Sequence, residues 1–195
     1  MMNYLFKIIN KYFLYYNRIK FRINNINVGE NLHVMNSIYI RKSPSATISI
    51  GNNFRFYSGS GFNPLARNIK GELCAEDGAY IKIGNNVGIS SSCIWAHEAI
   101  TIGNNVNIGG DCILLDSDGH SLNYIDRRFP SKDMENKKNS PIQIDDDVLI
   151  GTRSIILKGV HIGARTIIGS GSIVTKDIPA DCIAAGNPCK ILKFK

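Results

Sequence analysis

The sequence predicts an all-β fold, a three-sided parallel β-helix, and three observations support this prediction. These are an internal repeat of 19 residues, a finer period of six residues, and three segments in which that period is absent. A six-residue period fits neither the 3.6-residue turn of an α-helix nor the two-residue alternation of a simple strand. It is typical of coils built from three short strands and three corners, which stack into a prism.

The 19-residue repeat relates residues 74–94 to residues 93–113, where ten positions are identical. The aliphatic residues of the six-residue period are clearest towards the C-terminus, at Ile144, Ile150, Ile156, Ile162, Ile168 and Val174. Glycine, asparagine or aspartate after the aliphatic residue tolerates the positive φ of a tight corner. We therefore expect the aliphatic side chains to point into the prism and the polar residues to form its corners.

The three segments without the period divide the chain. Residues 1–23 contain seven aromatic residues and five bases without glycine, proline or an acid, which predicts a basic, aromatic helix. Residues 24–195 form the β-helix domain, from which residues 57–76 are expected to leave as a surface loop. A second loop, at about 115–141, is charged and polar, and loops of this length in compact domains commonly carry function. We expect the N-terminal helix to cap the open end of the prism, to contact a membrane surface weakly, or to do both.

Charge and cysteine content exclude some classes of protein. The net charge of +7 is concentrated at the N-terminus, because five of the 23 bases precede the first acid, Glu30. The remainder, with 18 bases and 16 acids, shows no broad charge for nucleic-acid binding. Five cysteines without a C-x-x-C pair, and the absence of an evident signal peptide, favour a reducing cytoplasm. Cys74, Cys93 and Cys112 share the 19-residue spacing, and we expect a column of small apolar side chains and no metal site.

A candidate for chemistry lies where the prism ends and the long loop begins. His120 follows Asp116, Asp118 and Gly119 in the segment D-S-D-G-H. A histidine beside carboxylates in a flexible segment suits general-base catalysis, because neutral imidazole accepts a proton near pH 7 and a carboxylate fixes its tautomer. We therefore interpret His120, with Asp116 and Asp118, as a catalytic group. The alternative is a solvated loop histidine.

The chain resembles the hexapeptide-repeat acetyltransferases, most closely the maltose and galactoside O-acetyltransferases and their relatives in bacterial surface-polysaccharide synthesis. The resemblance covers about residues 28–193. It rests on the repeats and on D-S-D-G-H at 116–120, D-V-L-I-G-T at 147–152, G-S-G-S-I-V-T-K-D-I-P at 169–179 and A-G-N-P-C-K at 185–190. It implies a left-handed β-helix, a homotrimer, acetyl-coenzyme A bound between adjacent prisms, no metal, and His120 as the catalytic base.

The resemblance also assigns binding residues. The positions expected to contact acetyl-coenzyme A are Thr152, Ser170, Thr175, Lys176, Lys190 and Lys193. Those expected to line the acceptor pocket are Ser90, Trp95 and His97. If the motifs are set aside, the alternative interpretation is that the cofactor positions are exposed corners and a solvated tail. Trp95 is then a residue that packs under a loop. Leu149 replaces the tryptophan that is usual before Ile-Gly in this family.

The leading hypothesis is acetyl transfer from acetyl-coenzyme A to a hydroxyl of a sugar or glycan, within surface-polysaccharide synthesis. An amino-sugar N-acetyltransferase is the alternative with the same fold and cofactor. Two other classes remain: a metal-dependent protein resembling the carbonic anhydrases of this fold, which needs several histidines around zinc, and a non-catalytic trimeric scaffold.

Overall fold

The protein is described by a computed structural model that covers residues 2–59, 65 and 69–195, with side chains from Ile8 onward. Over these residues, helix α1 (Met2–Ile23) is followed by twenty strands that form three sheets. Through the first eighteen strands, successive strands enter successive sheets, so that each coil contributes one strand to each face of a prism. The last two strands belong to one sheet. All strand pairs in the described residues are parallel except the last, β19 (Cys182–Ala185) with β20 (Lys190–Phe194).

Sheet A consists, in spatial order, of β1 (Asn27–Val28), β4 (Thr47–Ile50), β7 (Tyr80–Ile83), β10 (Ala99–Ile102), β13 (Ile142–Ile144) and β16 (His161–Ile162). Sheet B consists of β2 (His33–Met35), β5 (Arg55–Tyr57), β8 (Gly88–Ser90), β11 (Asn107–Gly110), β14 (Leu149–Ile150), β17 (Ile167–Ile168), β19 (Cys182–Ala185) and β20 (Lys190–Phe194). Sheet C consists of β3 (Tyr39–Lys42), β6 (Glu72–Ala75), β9 (Cys93–Ala96), β12 (Ile113–Leu115), β15 (Ile155–Leu157) and β18 (Ile173–Val174).

The predicted six-residue period forms the core. Ile144 pairs with Ile162 in sheet A, and the equivalent pairs in sheets B and C also lie 18 residues apart. All six period residues from Ile144 to Val174 are at most 2% exposed. Like side chains therefore stack on like side chains along each inner face, and their burial removes apolar surface from water. The predicted fold, a left-handed parallel β-helix, is confirmed.

Asparagines build the corner between sheets A and B. Asn53, Asn86 and Asn105 have φ of 58–59°, a left-handed conformation that asparagine tolerates. Their amides form a ladder, in which Asn53 donates to Asn86 at 2.7 Å and Asn86 donates to Asn105 at 2.9 Å. Side-chain hydrogen bonds between successive coils thus replace some of the backbone hydrogen bonds that are lost at the turn.

Helix α1 covers the first coil. Phe21 is 2% exposed within the core, and Leu14 packs against that core. The buried Asn17 donates from Nδ2 to the carbonyl of Asn36 at 2.8 Å. These contacts hold α1 against the end of the prism.

Two expectations from the sequence are wrong in detail. The cysteines do not form a column, because Cys74 pairs with Trp95 and Cys93 pairs with Ile113. The spacing is 19 residues between β7 and β10 and between Gly88 and Asn107, but it is 21 residues between β6 and β9. A register shift between β8 and β11 then makes it 20 residues between β9 and β12. The loop expected at 57–76 is shorter, since Glu72–Ala75 is strand β6; of its predicted turn residues, Gly61 and Pro64 lie outside the described residues.

The second predicted loop leaves the prism after β12 and returns at β13. This excursion, residues 116–141, contains a 3-10 helix (Asp126–Arg128) and helix α2 (Pro130–Asn136). Its two ends are joined by an antiparallel bridge between Ser117 and Asn139 and by a 2.9 Å hydrogen bond from the Asp118 amide to the Lys138 carbonyl. The excursion is therefore closed at its base and folded on itself.

Candidate active site

His120 lies on the excursion and is paired with an aspartate that the sequence analysis did not single out. Its Nδ1 is 2.6 Å from Oδ2 of Asp133 on α2. The other carboxylate oxygen of Asp133 accepts a 2.7 Å hydrogen bond from the Ser121 amide. The hydrogen bond from His120 is the main cause that lowers the pKa of Asp133, and the Ser121 amide adds to it. Asp133 is therefore ionised at neutral pH and accepts the Nδ1 proton.

This pairing leaves the opposite nitrogen of the ring available. With the proton held on Nδ1, Nε2 carries the lone pair of the neutral imidazole. Within the described residues, Nε2 has no hydrogen-bond partner, and the His120 side chain is 72% exposed. A group approaching from solvent can therefore give up a proton to Nε2, which is the geometry of a general base held by a carboxylate.

The two acids that the sequence placed beside His120 have other partners. Asp116 is fully buried, and its oxygens accept hydrogen bonds from the backbone amides of His97, Glu98 and Ala99 at 2.6–2.9 Å. Asp118 lies with Oδ1 3.5 Å from Nζ of Lys158. Neither acid hydrogen-bonds His120 in the described part of the chain. The sequence contained no signal that would select Asp133, because several acids follow His120 at similar distances.

Two of the three predicted acceptor residues form one cluster beside the excursion. The rings of Trp95 and His97 have centroids 5.0 Å apart, and the Trp95 indole donates to Oε1 of Glu76 at 2.8 Å. Nδ1 of His97 lies 3.0 Å from Nζ of Lys137, which belongs to the excursion. Burial and then the Lys137 charge lower the pKa of His97, so this imidazole is neutral at pH 7.

The position of Ser90 differs from that of this cluster. Ser90 ends β8 at the corner between sheets B and C, whereas His97 follows β9 at the corner between sheets C and A. The two residues therefore lie at opposite edges of sheet C, and the structure does not bring all three predicted acceptor residues together within one chain.

The predicted cofactor residues also lie at both edges of sheet C. Thr152 and Ser170 follow β14 and β17 at the corner with sheet B. That corner is tightly stacked, because a Cβ on Gly151 would lie 2.4 Å from the Ser170 amide nitrogen. Thr175 and Lys176 follow β18 at the corner with sheet A, from which the excursion also leaves.

The last two predicted cofactor residues lie on the final strand. Lys190 and Lys193 are exposed on β20, which pairs with β19 at the end of sheet B. Lys190 pairs with Ala185 and follows Cys189, whose amide donates to the Ile173 carbonyl at 2.8 Å, so it lies at the same edge of sheet C as Ser170. Lys193 lies further along sheet B, opposite Ile183. Within the residues that the structure describes, no group of three or more histidine, cysteine or acidic side chains is arranged to hold a metal ion.

The comparisons with known proteins agree with the fold. The bacterial transferase hexapeptide family (six repeats) matches residues 141–176. A solved hexapeptide-repeat-containing acetyltransferase from Vibrio cholerae O1 biovar eltor, complexed with acetyl-coenzyme A, is 34% identical with a TM-score of 0.55, over 65% of this chain and 68% of that chain. Galactoside acetyltransferase in complex with coenzyme A is 27% identical with a TM-score of 0.56, over 91% of this chain and 69% of that chain.

A curated relative matches over a shorter stretch. The 2,3,4,5-tetrahydropyridine-2,6-dicarboxylate N-acetyltransferase of Staphylococcus aureus (strain Newman) is 52% identical over 54 residues, which are 28% of this chain. The match spans 23% of the length of that relative. The repeats seen in the core are therefore shared with proteins of different overall length. Together with the similarity to the Vibrio cholerae protein over two thirds of its length, this shows that the chain belongs to the family of hexapeptide-repeat acetyltransferases.

Proposed function

We propose that the protein transfers an acetyl group from acetyl-coenzyme A to a hydroxyl of a sugar or glycan. The observation that carries this proposal is the His120–Asp133 pair, with Nε2 of His120 open to solvent. The similar Vibrio cholerae acetyltransferase was solved with acetyl-coenzyme A, and the similar galactoside acetyltransferase with coenzyme A. Their ligands support the same acyl donor for this chain.

In the proposed reaction, Asp133 keeps the imidazole proton on Nδ1 and Nε2 of His120 faces the acceptor. Nε2 takes the proton of the hydroxyl while the oxygen attacks the acetyl carbonyl carbon. As the carbon–sulfur bond breaks, Nε2 returns that proton to the sulfur, so the products are the acetyl ester and the free thiol. The Asp133 carboxylate stabilises the imidazolium that exists between these two proton transfers.

The Staphylococcus aureus relative is named an N-acetyltransferase, and this observation supports nitrogen as the alternative acceptor atom. The second candidate acceptor is therefore an amino sugar that is acetylated on its amino group. The two candidates are distinguished by measuring release of coenzyme A thiol with glucosides and galactosides and with the matching amino sugars. Transfer to hydroxyls alone supports the first proposal. Transfer confined to the amino sugars would replace it with the second.

We propose that three copies assemble into the active protein. The predicted cofactor residues occupy different edges of the prism, and the outer faces of sheets B and C expose Leu149 (44%) and Ile113 (39%). A neighbouring prism would bury these side chains and bring two edges together around one ligand. Sedimentation velocity at assay concentration should give the mass of three chains. An active species with the mass of one chain would contradict the proposal.

We further propose a place for this enzyme in surface-polysaccharide synthesis in the cytoplasm, with weak contact between α1 and the membrane. Among the described residues, no helix has the length and hydrophobicity needed to span a bilayer. The outer face of α1 nevertheless exposes Tyr12 (62%) and Tyr15 (69%) next to Lys11 and Arg18, a combination that suits an anionic lipid surface.

The double variant Lys11→Glu/Arg18→Glu tests this membrane contact, because both side chains are exposed and the buried Phe21 still holds α1 on the prism. The parent protein should co-sediment with phosphatidylglycerol vesicles at low salt, and the variant should not. Vesicles of phosphatidylcholine are the control. Equal co-sedimentation of parent and variant with phosphatidylglycerol would refute the contact.

A further inference from the structure

The outer face of sheet C is divided into two chemically different halves. Side chains alternate along each strand, and the inward-facing Leu73, Ile94 and Leu114 are fully buried. In the half formed by β12, β15 and β18, the outward positions are isoleucine and leucine. In the half formed by β3, β6 and β9, the outward positions are polar, aromatic or cysteine.

In this second half, cations lie against aromatic rings. Tyr39, which is 55% exposed, has Nζ of Lys20 at 5.8 Å and Nζ of Lys70 at 5.4 Å from its ring centroid. Cζ of Arg41 lies 5.0 Å from the ring centroid of Trp95. With Lys20 from α1 and Lys70 from the segment before β6, these residues form a band across β3, β6 and β9, which we call the cationic–aromatic strip.

The strip is ordered by its own contacts. Arg41 donates from Nε to Sγ of Cys74 at 2.9 Å, and the Trp95 indole donates to Glu76 at 2.8 Å. Two acids lie in the same half: Glu72, which pairs with Tyr39 on the neighbouring strand, and Glu76, which keeps its charge while it accepts the indole bond. The three cations Lys20, Arg41 and Lys70 exceed these acids by one. Arg41 and Lys70 are exposed, whereas Lys20 is half-buried and donates to the carbonyl of Ile38. The strip therefore presents flat rings and positive charge together.

One end of the strip reaches the candidate active site. Trp95 stacks obliquely near His97, with centroids 5.0 Å apart, and His97 lies 3.0 Å from Nζ of Lys137. Lys137 belongs to the same closed excursion as His120. A ligand lying along the strip would thus extend from Tyr39 towards the loop that carries the base.

We infer that the acceptor is an acidic oligosaccharide bound along the cationic–aromatic strip, rather than a small neutral sugar. Aromatic rings pack against the apolar faces of sugar rings, and guanidinium and ammonium groups pair with carboxylate or phosphate substituents. Contacts to sugars remote from the reacting hydroxyl would hold that hydroxyl in place for attack. This inference rests on the proposed function, because it names the acceptor class of the same reaction.

The chain offers a direct probe, since Trp95 is its only tryptophan. Its fluorescence is to be followed during titration with tetragalacturonate, which carries carboxylates, with a phosphorylated maltotetraose, and with neutral maltotetraose of equal length. One or both acidic probes should change the emission with an affinity at least about tenfold above that of the neutral probe, and this affinity should fall as salt rises. The two acidic probes distinguish carboxylate from phosphate as the preferred group.

Two variants test the strip without relying on activity. Arg41→Met and Lys70→Gln should each weaken binding of the acidic probe about fivefold to tenfold, whereas Arg55→Met, an exposed arginine on sheet B, should not. Lys70 is exposed, so its variant remains informative even if Arg41→Met lowers the melting temperature. Equal affinity for acidic and neutral probes, or unchanged binding in Lys70→Gln, would overturn the inference. Acetylation of neutral sugars without preference for acidic ones would overturn it while leaving the proposed function intact.

Discussion

Replacing Asp133 by asparagine should inactivate the proposed base more effectively than removing the side chain. The Ser121 amide donates to one oxygen of Asp133, and this donor requires an oxygen at the same place in the variant. The amide nitrogen of asparagine would then face Nδ1 of His120, where the parent has an oxygen at 2.6 Å. An N–H directed at Nδ1 keeps the imidazole proton on Nε2, and that nitrogen then has no lone pair to accept a proton.

The expected loss of kcat follows from the change of tautomer and from the exposure of the His120 side chain. A general base contributes about 10²- to 10⁴-fold. Because His120 is 72% exposed and water competes for its nitrogens, we expect the lower end, a loss of about 100-fold in kcat for Asp133→Asn. In Asp133→Ala both tautomers remain accessible, and a loss of only about tenfold is expected.

The assay is release of coenzyme A thiol at saturating sugar acceptor, with kcat and the KM for acetyl-coenzyme A determined separately. The KM should stay within about twofold, because Asp133 acts on the imidazole and not on the acyl donor. Glu135→Gln, an exposed acid on the same helix, is the matched control and should behave as the parent. An Asp133→Asn variant as active as Asp133→Ala, or within threefold of the parent, would refute the tautomer argument.

Two further predictions concern the acid and the histidine that sequence reasoning placed in the site. Asp116→Ala should lower the free energy of unfolding by about 1–3 kcal/mol, because it leaves the buried backbone amides of residues 97–99 without an acceptor. Chemical denaturation measures this change. An unchanged denaturation midpoint would contradict a structural role for Asp116. The lowered pKa of His97 means that the unfolded chain binds more protons than the folded chain below about pH 6.5. The free energy of unfolding should therefore fall as pH is lowered from 7.5 to 5.5, and it should fall less in His97→Gln. If it depends on pH equally in parent and variant, His97 is not the source of the pH dependence.

The regular part of the fold was predictable because it depends on local repetition. Each coil buries one aliphatic residue per face, so Ile144, Ile150 and Ile156 reveal the three faces without any knowledge of long-range contacts. The register shift near Gly110 was not predictable, since a single inserted corner residue leaves the pattern of identities intact while it displaces Cys93 against Ile113.

The candidate site was predictable only in part. His120 stands out because it occurs in the long loop where the period ends, but its partner depends on how that loop folds back on itself. Asp116 is adjacent in sequence and is directed into the previous corner, whereas Asp133 reaches His120 through helix α2. Loop geometry of this kind depends on tertiary contacts and is not encoded in a repeat.

The most direct test of the central claim is acetyl transfer by the parent protein and by His120→Ala from labelled acetyl-coenzyme A to a panel of sugars and glycan fragments. We expect the parent to add one acetyl group to a sugar hydroxyl, as an ester detected by mass spectrometry. We expect His120→Ala, with an unchanged melting temperature, to lower the rate of this transfer by about 10²- to 10⁴-fold. Equal transfer by the two proteins, or label remaining on the donor with every acceptor, would contradict it.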